Sequence, residues 1–175
     1  HVNICEWQMC MFYSRILKTN PEKHQKKEKK MLSGTIGFSF YGNAHLFRNP
    51  IGLTPYVPAN CVVHKNKNMP YYAVSKKVLE AYHRKTISFD TMKDLYEKMV
   101  LNHLDPQEVV EDIINRFGKE IVICGVYKNP AEDHRSIFMD WINENTNFSG
   151  IEVAEQSELY GNIAEDVLNG VVIMT

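Results

Sequence analysis

The chain has 175 residues, 44% hydrophobic and 23% charged, with a formal net charge of −1. That length suits one domain with a real core and is short for two, and the composition is ordinary for a soluble globular protein. No apolar run approaches the roughly 18 residues that span a bilayer, and no signal peptide is visible, which excludes a helical membrane span and points to the cytoplasm.

The first apolar stretch, residues 2–17 (VNICEWQMCMFYSRIL), is too irregular for an amphipathic helix and reads as a buried strand. Residues 18–30 (KTNPEKHQKKEKK) hold six lysines and no apolar position, a solvated mobile loop. Residues 31–40 (MLSGTIGFSF) form the second strand, where Gly34 and Gly37 suggest a bulge or a close backbone approach. Residues 41–73 carry Pro50, Pro55, Pro58 and Pro70, which argue against regular structure. Their aromatic and apolar content makes them a long packed loop, and loops of that length are often functional.

Helical spacing begins after it. Val78, Leu79 and Tyr82 share one face of a helix over 74–83, and Met92, Leu95, Tyr96, Met99, Val100 and His103 share another, capped by Ser88 or Asp90. Asp105-Pro106-Gln107-Glu108 opens a third helix, with an apolar stripe of Val110, Ile113, Ile114 and Phe117 and a stop at Gly118. Residues 121–126 are a continuous apolar run, as in a parallel strand covered on both faces. A helix burying Ile137, Phe138, Trp141 and Ile142 follows, then a short strand at 151–153 and a weak helix over 156–170. Strands alternating with helices give an α/β fold: a single domain over 1–175, a small mixed sheet with helices packed on it.

The chemistry concentrates where the 121–126 strand turns into the next helix. Asp133 is placed to cap that helix, and His134 and Arg135 occupy its first turn. Two cationic side chains at the positive end of the helix dipole call for a compensating anion, either a ligand or a carboxylate of the chain itself. On the ligand reading Arg135 clamps the anion, His134 moves a proton, and Cys124 at the strand end is an optional nucleophile. Gly37 and Ser39 on the neighbouring strand then border the ligand. Against it, the four cysteines (Cys5, Cys10, Cys61, Cys124) have no CxxC spacing and read as free thiols in a reducing compartment. No Walker loop, GxGxxG, HxxxH or HxH occurs, so no cofactor and no metal are expected.

The segment from Cys124 to Trp141 resembles the bacterial and phage domain-of-unknown-function family 488. In that family a buried strand ends in Leu-Leu-Cys-aromatic-Glu, and Cys-His-Arg opens a helix that ends near Trp-Leu. Here the strand reads Val122-Ile123-Cys124-Gly125-Val126, and the helix opens Asp133-His134-Arg135 and runs to Trp141-Ile142. Residues 96–110, Gly52-Leu53-Thr54-Pro55 and Thr35-Ile36-Gly37-Phe38-Ser39 are similar to further parts of it. Two departures stand out: Asp133 replaces the family's cysteine, and no acidic residue follows Cys124 in register. The resemblance implies a fold more than an activity.

Two functions follow as expectations. One is an enzyme, or an enzyme relic, acting on an anionic small molecule or nucleotide at the strand end. The other is a non-catalytic module that binds nucleic acid or an acidic protein through a basic half. Residues 1–88 hold 14 Lys or Arg against 4 Glu, a net of +10, and residues 89–175 hold 6 against 17 Asp or Glu, a net of −11. Lys26, Lys27, Lys29 and Lys30, with Lys65 and Lys67 among His64, Tyr71 and Tyr72, are the expected phosphate contacts.

Overall fold

Gly34–Phe40 alternates large apolar with small residues, and it forms β1. Ile36 and Phe38 enter one core and Gly37 and Ser39 face the other way, as the two-residue period of a strand requires. The computed structural model describes residues 34–168 apart from 60 and 64, with backbone alone at 65 and 164–168. The expected strand over 2–17, the loop over 18–30, and Lys26, Lys27, Lys29 and Lys30 lie outside the described residues. Residues 31–175 form one unit of the chain, separate from residues 1–30. The α/β fold is present in that unit.

Four strands form one sheet in the order β2-β3-β1-β4, with β2 at Pro50–Gly52, β3 at Val122–Gly125 and β4 at Phe148–Glu152. Every strand pairing among the described residues is parallel, so the sheet there is more uniform than the mixed one expected. Register places Ser39 beside Cys124 and Gly37 beside both Val122 and Ile151. All four residues of β3 are buried, in keeping with a central strand covered on both faces.

Capping residues set the helix ends. Ser75 opens α1 (Lys76–His83), and Ser88 opens α2 (Phe89–Met99), its hydroxyl accepting from Thr91 N at 3.1 Å. Asp105 accepts from Glu108 N at 2.9 Å at the start of α3 (Pro106–Phe117), and Gly118 ends that helix at φ +83, a conformation open to glycine. α4 (His134–Asn145) follows β3, and α5 (Gln156–Leu168) follows β4.

The larger core joins Ile36, Phe38, Ile51 and Ile123 of the sheet to Leu79, Met92, Tyr96, Ile113 and Phe138 of the helices. Removing each such side chain from water contributes about 2 kcal/mol. The smaller core, on the opposite face, packs Val122, Cys124, Val153 and Leu159 with Ala44, Phe47 and Val63. Gly37 belongs to that face: a Cβ there would lie 3.0 Å from Val122 Cγ2 and 3.1 Å from Val153 Cγ2, so the close approach expected of it is real.

The stretch 41–73 is not structureless. It holds a 3₁₀ helix (Tyr41–Leu46), β2, and a second 3₁₀ turn (Lys65–Lys67). β2 lies at the sheet edge and Pro50 is its first residue, a position that tolerates the missing donor. No helix among the described residues is long and apolar enough to cross a membrane.

Candidate functional site

At the carboxyl end of β3 the chain turns through Val126–Glu132 into α4, and Asp133, His134 and Arg135 are all buried there. Asp133 is the hub. Its Oδ1 accepts from Arg135 N at 2.9 Å, the N-cap bond, and its Oδ2 accepts from Tyr127 N in the turn. Gly125 makes room for it, since a Cβ at that position would lie 2.3 Å from Asp133 Oδ1.

Arg135 is only 1% exposed, and each of its three nitrogens is engaged by the chain. Nε and Nη2 donate to the two carboxylate oxygens of Glu152 at 2.9 and 3.3 Å, a bidentate pair with the end of β4. Nη2 also donates to Lys128 O at 3.3 Å, and Nη1 donates to Tyr127 O and ion-pairs with Asp133 Oδ2 at 3.1 Å. A guanidinium has five N–H donors, and these contacts occupy its whole fork. The anion that the helix start calls for is supplied by Asp133 and Glu152. The reading of Arg135 as a clamp for a ligand anion is therefore corrected: it is a strut between the β3–α4 turn, the helix start and β4.

His134 is fully buried, and its Nε2 hydrogen-bonds to Leu53 O just beyond β2. Burial pushes its pKa below the ordinary value, against opposing pulls from Asp133 and the Leu53 carbonyl. Leu53 O can only accept, so Nε2 carries a hydrogen, and burial disfavours the charged form of the ring. Nδ1 has no hydrogen-bond partner; Asp133 Oδ1 lies 3.3 Å away, a contact that becomes an ion pair only on protonation. The Tyr96 ring packs edge-on at 6.1 Å between centroids. With its donor spent on a backbone carbonyl and no exposed surface, His134 is corrected from proton carrier to a tie between the long loop and α4.

Cys124 is fully buried in the smaller core. Burial, with nearby Cys61 in support, pushes its thiol up to about 12, so it is a poor nucleophile at neutral pH. Gly37 and Ser39 share the face of that core, whereas α4 packs on the face of Ile36 and Phe38. They do not border Arg135. The structure thus gathers His134, Arg135 and Asp133 at one point, with Gly37 and Ser39 on the other face of the sheet and Cys124, packed in the smaller core, feeling Arg135 and Glu152 only electrostatically. A second polar cluster, unforeseen from sequence, joins Tyr41, Thr54 and Asn68: Tyr41 Oη meets Thr54 Oγ1 at 2.9 Å, and Asn68 Nδ2 donates to Thr54 O at 2.8 Å. Gly52 is the signal that marks it, because a Cβ there would lie 2.1 Å from the Tyr41 hydroxyl oxygen.

Compared with protein-family models, with curated proteins and with solved structures, the chain finds no match.

The remaining expected contacts are cationic. His64 and the side chain of Lys65 lie outside the described residues. Lys67 is half-buried, and Nζ donates to Asn49 Oδ1 at 2.8 Å. Tyr71 is 59% exposed, and Tyr72 donates to Asp112 Oδ2 at 2.8 Å, so the two neighbouring tyrosines divide between surface and packing. No group of three or more His, Cys, Asp or Glu side chains stands close enough to hold a metal among the described residues.

Proposed function

We propose that this chain is a non-catalytic binding module for single-stranded nucleic acid, held through its basic half. One contrast carries the reading. At the strand end Arg135 is consumed by the chain's own carboxylates and carbonyls and His134 by the Leu53 carbonyl, while Arg48, Lys67, Lys77, Arg84 and Lys85 have no carboxylate partner among the described residues. Glu80 is the one acidic residue between 34 and 88, and it pairs with Lys76 at 3.7 Å. Unpaired lysines and arginines on the surface favour phosphates by releasing condensed counterions. Lys26, Lys27, Lys29, Lys30 and Lys65 add charge of the same sign in the sequence.

The likeness to family 488 fits this reading: Asp133, standing where that family has a cysteine, supplies a helix cap and an internal counterion in place of a thiol. An enzyme acting on an anionic small molecule through Arg135 and His134 would have to dismantle those contacts first.

Fluorescence anisotropy with a labelled single-stranded oligonucleotide tests the proposal. Binding is expected at about 50 mM salt and is expected to weaken by orders of magnitude by about 200 mM, because each phosphate contact returns a counterion to solution. Absence of binding at low salt ends the proposal. Binding that survives deletion of residues 23–30 unchanged removes that segment from the contacts.

A further inference from the structure

A recess of about 390 Å³ opens on the basic half, between the first 3₁₀ helix on one side and Val62 and Lys67 on the other. Its walls are of two kinds. His45, Arg48 and Lys67 bring positive or titratable groups, and Phe47, Pro50 and Val62 bring apolar surface. Val62 is 54% exposed and leaves apolar surface beside two cations.

Both cations are held in place by the fold. The Arg48 guanidinium carbon sits 5.6 Å from the centroid of the Tyr160 ring, and the Arg48 backbone N–H donates to Gln156 Oε1 at 2.9 Å. Nε2 of the same Gln156 is a buried donor with no hydrogen-bond partner. Lys67 Nζ is set by Asn49 Oδ1, and Asn49 is itself fixed by donating to Phe117 O at 2.9 Å and Lys119 O at 3.2 Å. Neither cation meets a carboxylate among the described residues. Glu120 accepts a hydrogen bond from the Tyr160 hydroxyl at 3.0 Å. Each cationic side chain thus has one contact that orients it before any ligand arrives, which lowers the ordering cost of binding.

We infer that this recess receives a nucleotide carrying a phosphate monoester, a 5′-phosphorylated strand end or a free mononucleotide. The inference rests on the polyanion reading above and deepens it. Three features select that class. An arginine fork and a lysine together suit a dianionic monoester better than the single charge of a backbone diester. The apolar wall suits the sugar and base attached to the phosphate. The volume falls within the roughly 300–1,000 Å³ of small-ligand pockets, enough for one nucleotide and too small for a helix or a duplex.

The test uses the full chain and anisotropy of a short single-stranded oligonucleotide with either a 5′-phosphate or a 5′-hydroxyl. The phosphorylated strand is expected to bind about tenfold more tightly, the low end of one charge-assisted hydrogen bond. Arg48→Gln with Lys67→Gln should erase that preference and leave salt-dependent binding of both strands, while Lys98→Gln on α2 should change neither. Adenosine monophosphate should displace the phosphorylated strand better than adenosine or inorganic phosphate does. Equal binding of the two strands overturns the recess and leaves the polyanion reading standing. Binding of the mononucleotide alone, lost in the double variant, supports the recess and removes the polyanion reading. Inorganic phosphate competing as well as the mononucleotide takes the apolar wall out of the account and overturns the nucleotide assignment.

Discussion

The carboxylate of Asp133 occupies the space that a side chain at Gly125 would need: a Cβ on residue 125 would lie 2.3 Å from Oδ1 and 2.7 Å from Cγ. The two positions are coupled sterically. An acid that caps α4 and neutralises Arg135 fits only if the strand ends in a residue without a side chain. Gly125→Ala is expected to destabilise the domain by about 2 kcal/mol, the scale of overpacking a tight site. In an Asp133→Ala background the same change should cost little, because the clashing oxygens are gone. Chemical denaturation of the four proteins of that cycle reads the coupling, and additive effects would break the link between the two positions.

Arg135 is the member of the cluster whose loss leaves the most behind. Arg135→Ala strands Asp133 and Glu152, along with the carbonyls of Tyr127 and Lys128. Removing one partner of a buried pair typically costs 3–5 kcal/mol. Glu152 is 31% exposed and can return to water, so about 3 kcal/mol is expected. Arg135→Lys should recover only part, since an ammonium cannot grip both Glu152 oxygens while reaching the turn. A midpoint of unfolding unchanged in Arg135→Ala would show that the strut bears no weight.

Legibility from the sequence follows the range of the interaction. Asp105-Pro106 and Gly118 bracket α3 as read, because capping is decided within four residues. The apolar run at 121–126 becomes β3 because a strand buried on both faces advertises itself. β2 did not show: three residues opening with a proline, among three other prolines, carry no periodicity. The strand before Ile151 began earlier than expected, at Phe148, since Ser149 and Gly150 look like a turn until β1 pairs with them. Asp133 was legible as a cap, but the partner of Arg135 was not. Glu152 lies 17 residues on and reaches Arg135 only because β4 pairs with β1. The recess was hidden for the same reason: His45 and Arg48 stand about twenty residues from Lys67, and no local pattern joins them.

Cys124 offers a direct check on the smaller core. A thiol pushed up to about 12 is thiolate in only about one molecule in ten thousand near pH 8, and it has no exposed surface besides. Cys61 is half-buried and should alkylate first. Iodoacetamide labelling followed by peptide mass spectrometry is expected to modify Cys61 within minutes and Cys124 at the rate of opening of the domain. Labelling of Cys124 as fast as Cys61 would mean that β3 is reachable in the native state, and would reopen a nucleophilic role.

His134 gives the stability a definite dependence on pH. Burial lowers its pKa in the folded state below the unfolded value of 6.5. Between the two values the unfolded chain binds a proton that the folded one does not, so stability rises with pH there. The contribution is fully present above 6.5 and is lost as the pH falls through and below it, by at most about 1.4 kcal/mol per pH unit for one proton. The facing groups act in both directions: Asp133 pulls the pKa up, and Arg135 and His83 push it down. Denaturation midpoints measured from pH 8 to pH 5 should fall with acid in the wild type. In His134→Gln, where an amide N–H can still donate to Leu53 O, the slope near 6.5 should flatten, though the protein will be less stable throughout. An unchanged slope assigns the acid sensitivity to other groups. A slope of opposite sign would mean that the Asp133 contact wins, with Nδ1 protonated and the 3.3 Å approach a true ion pair.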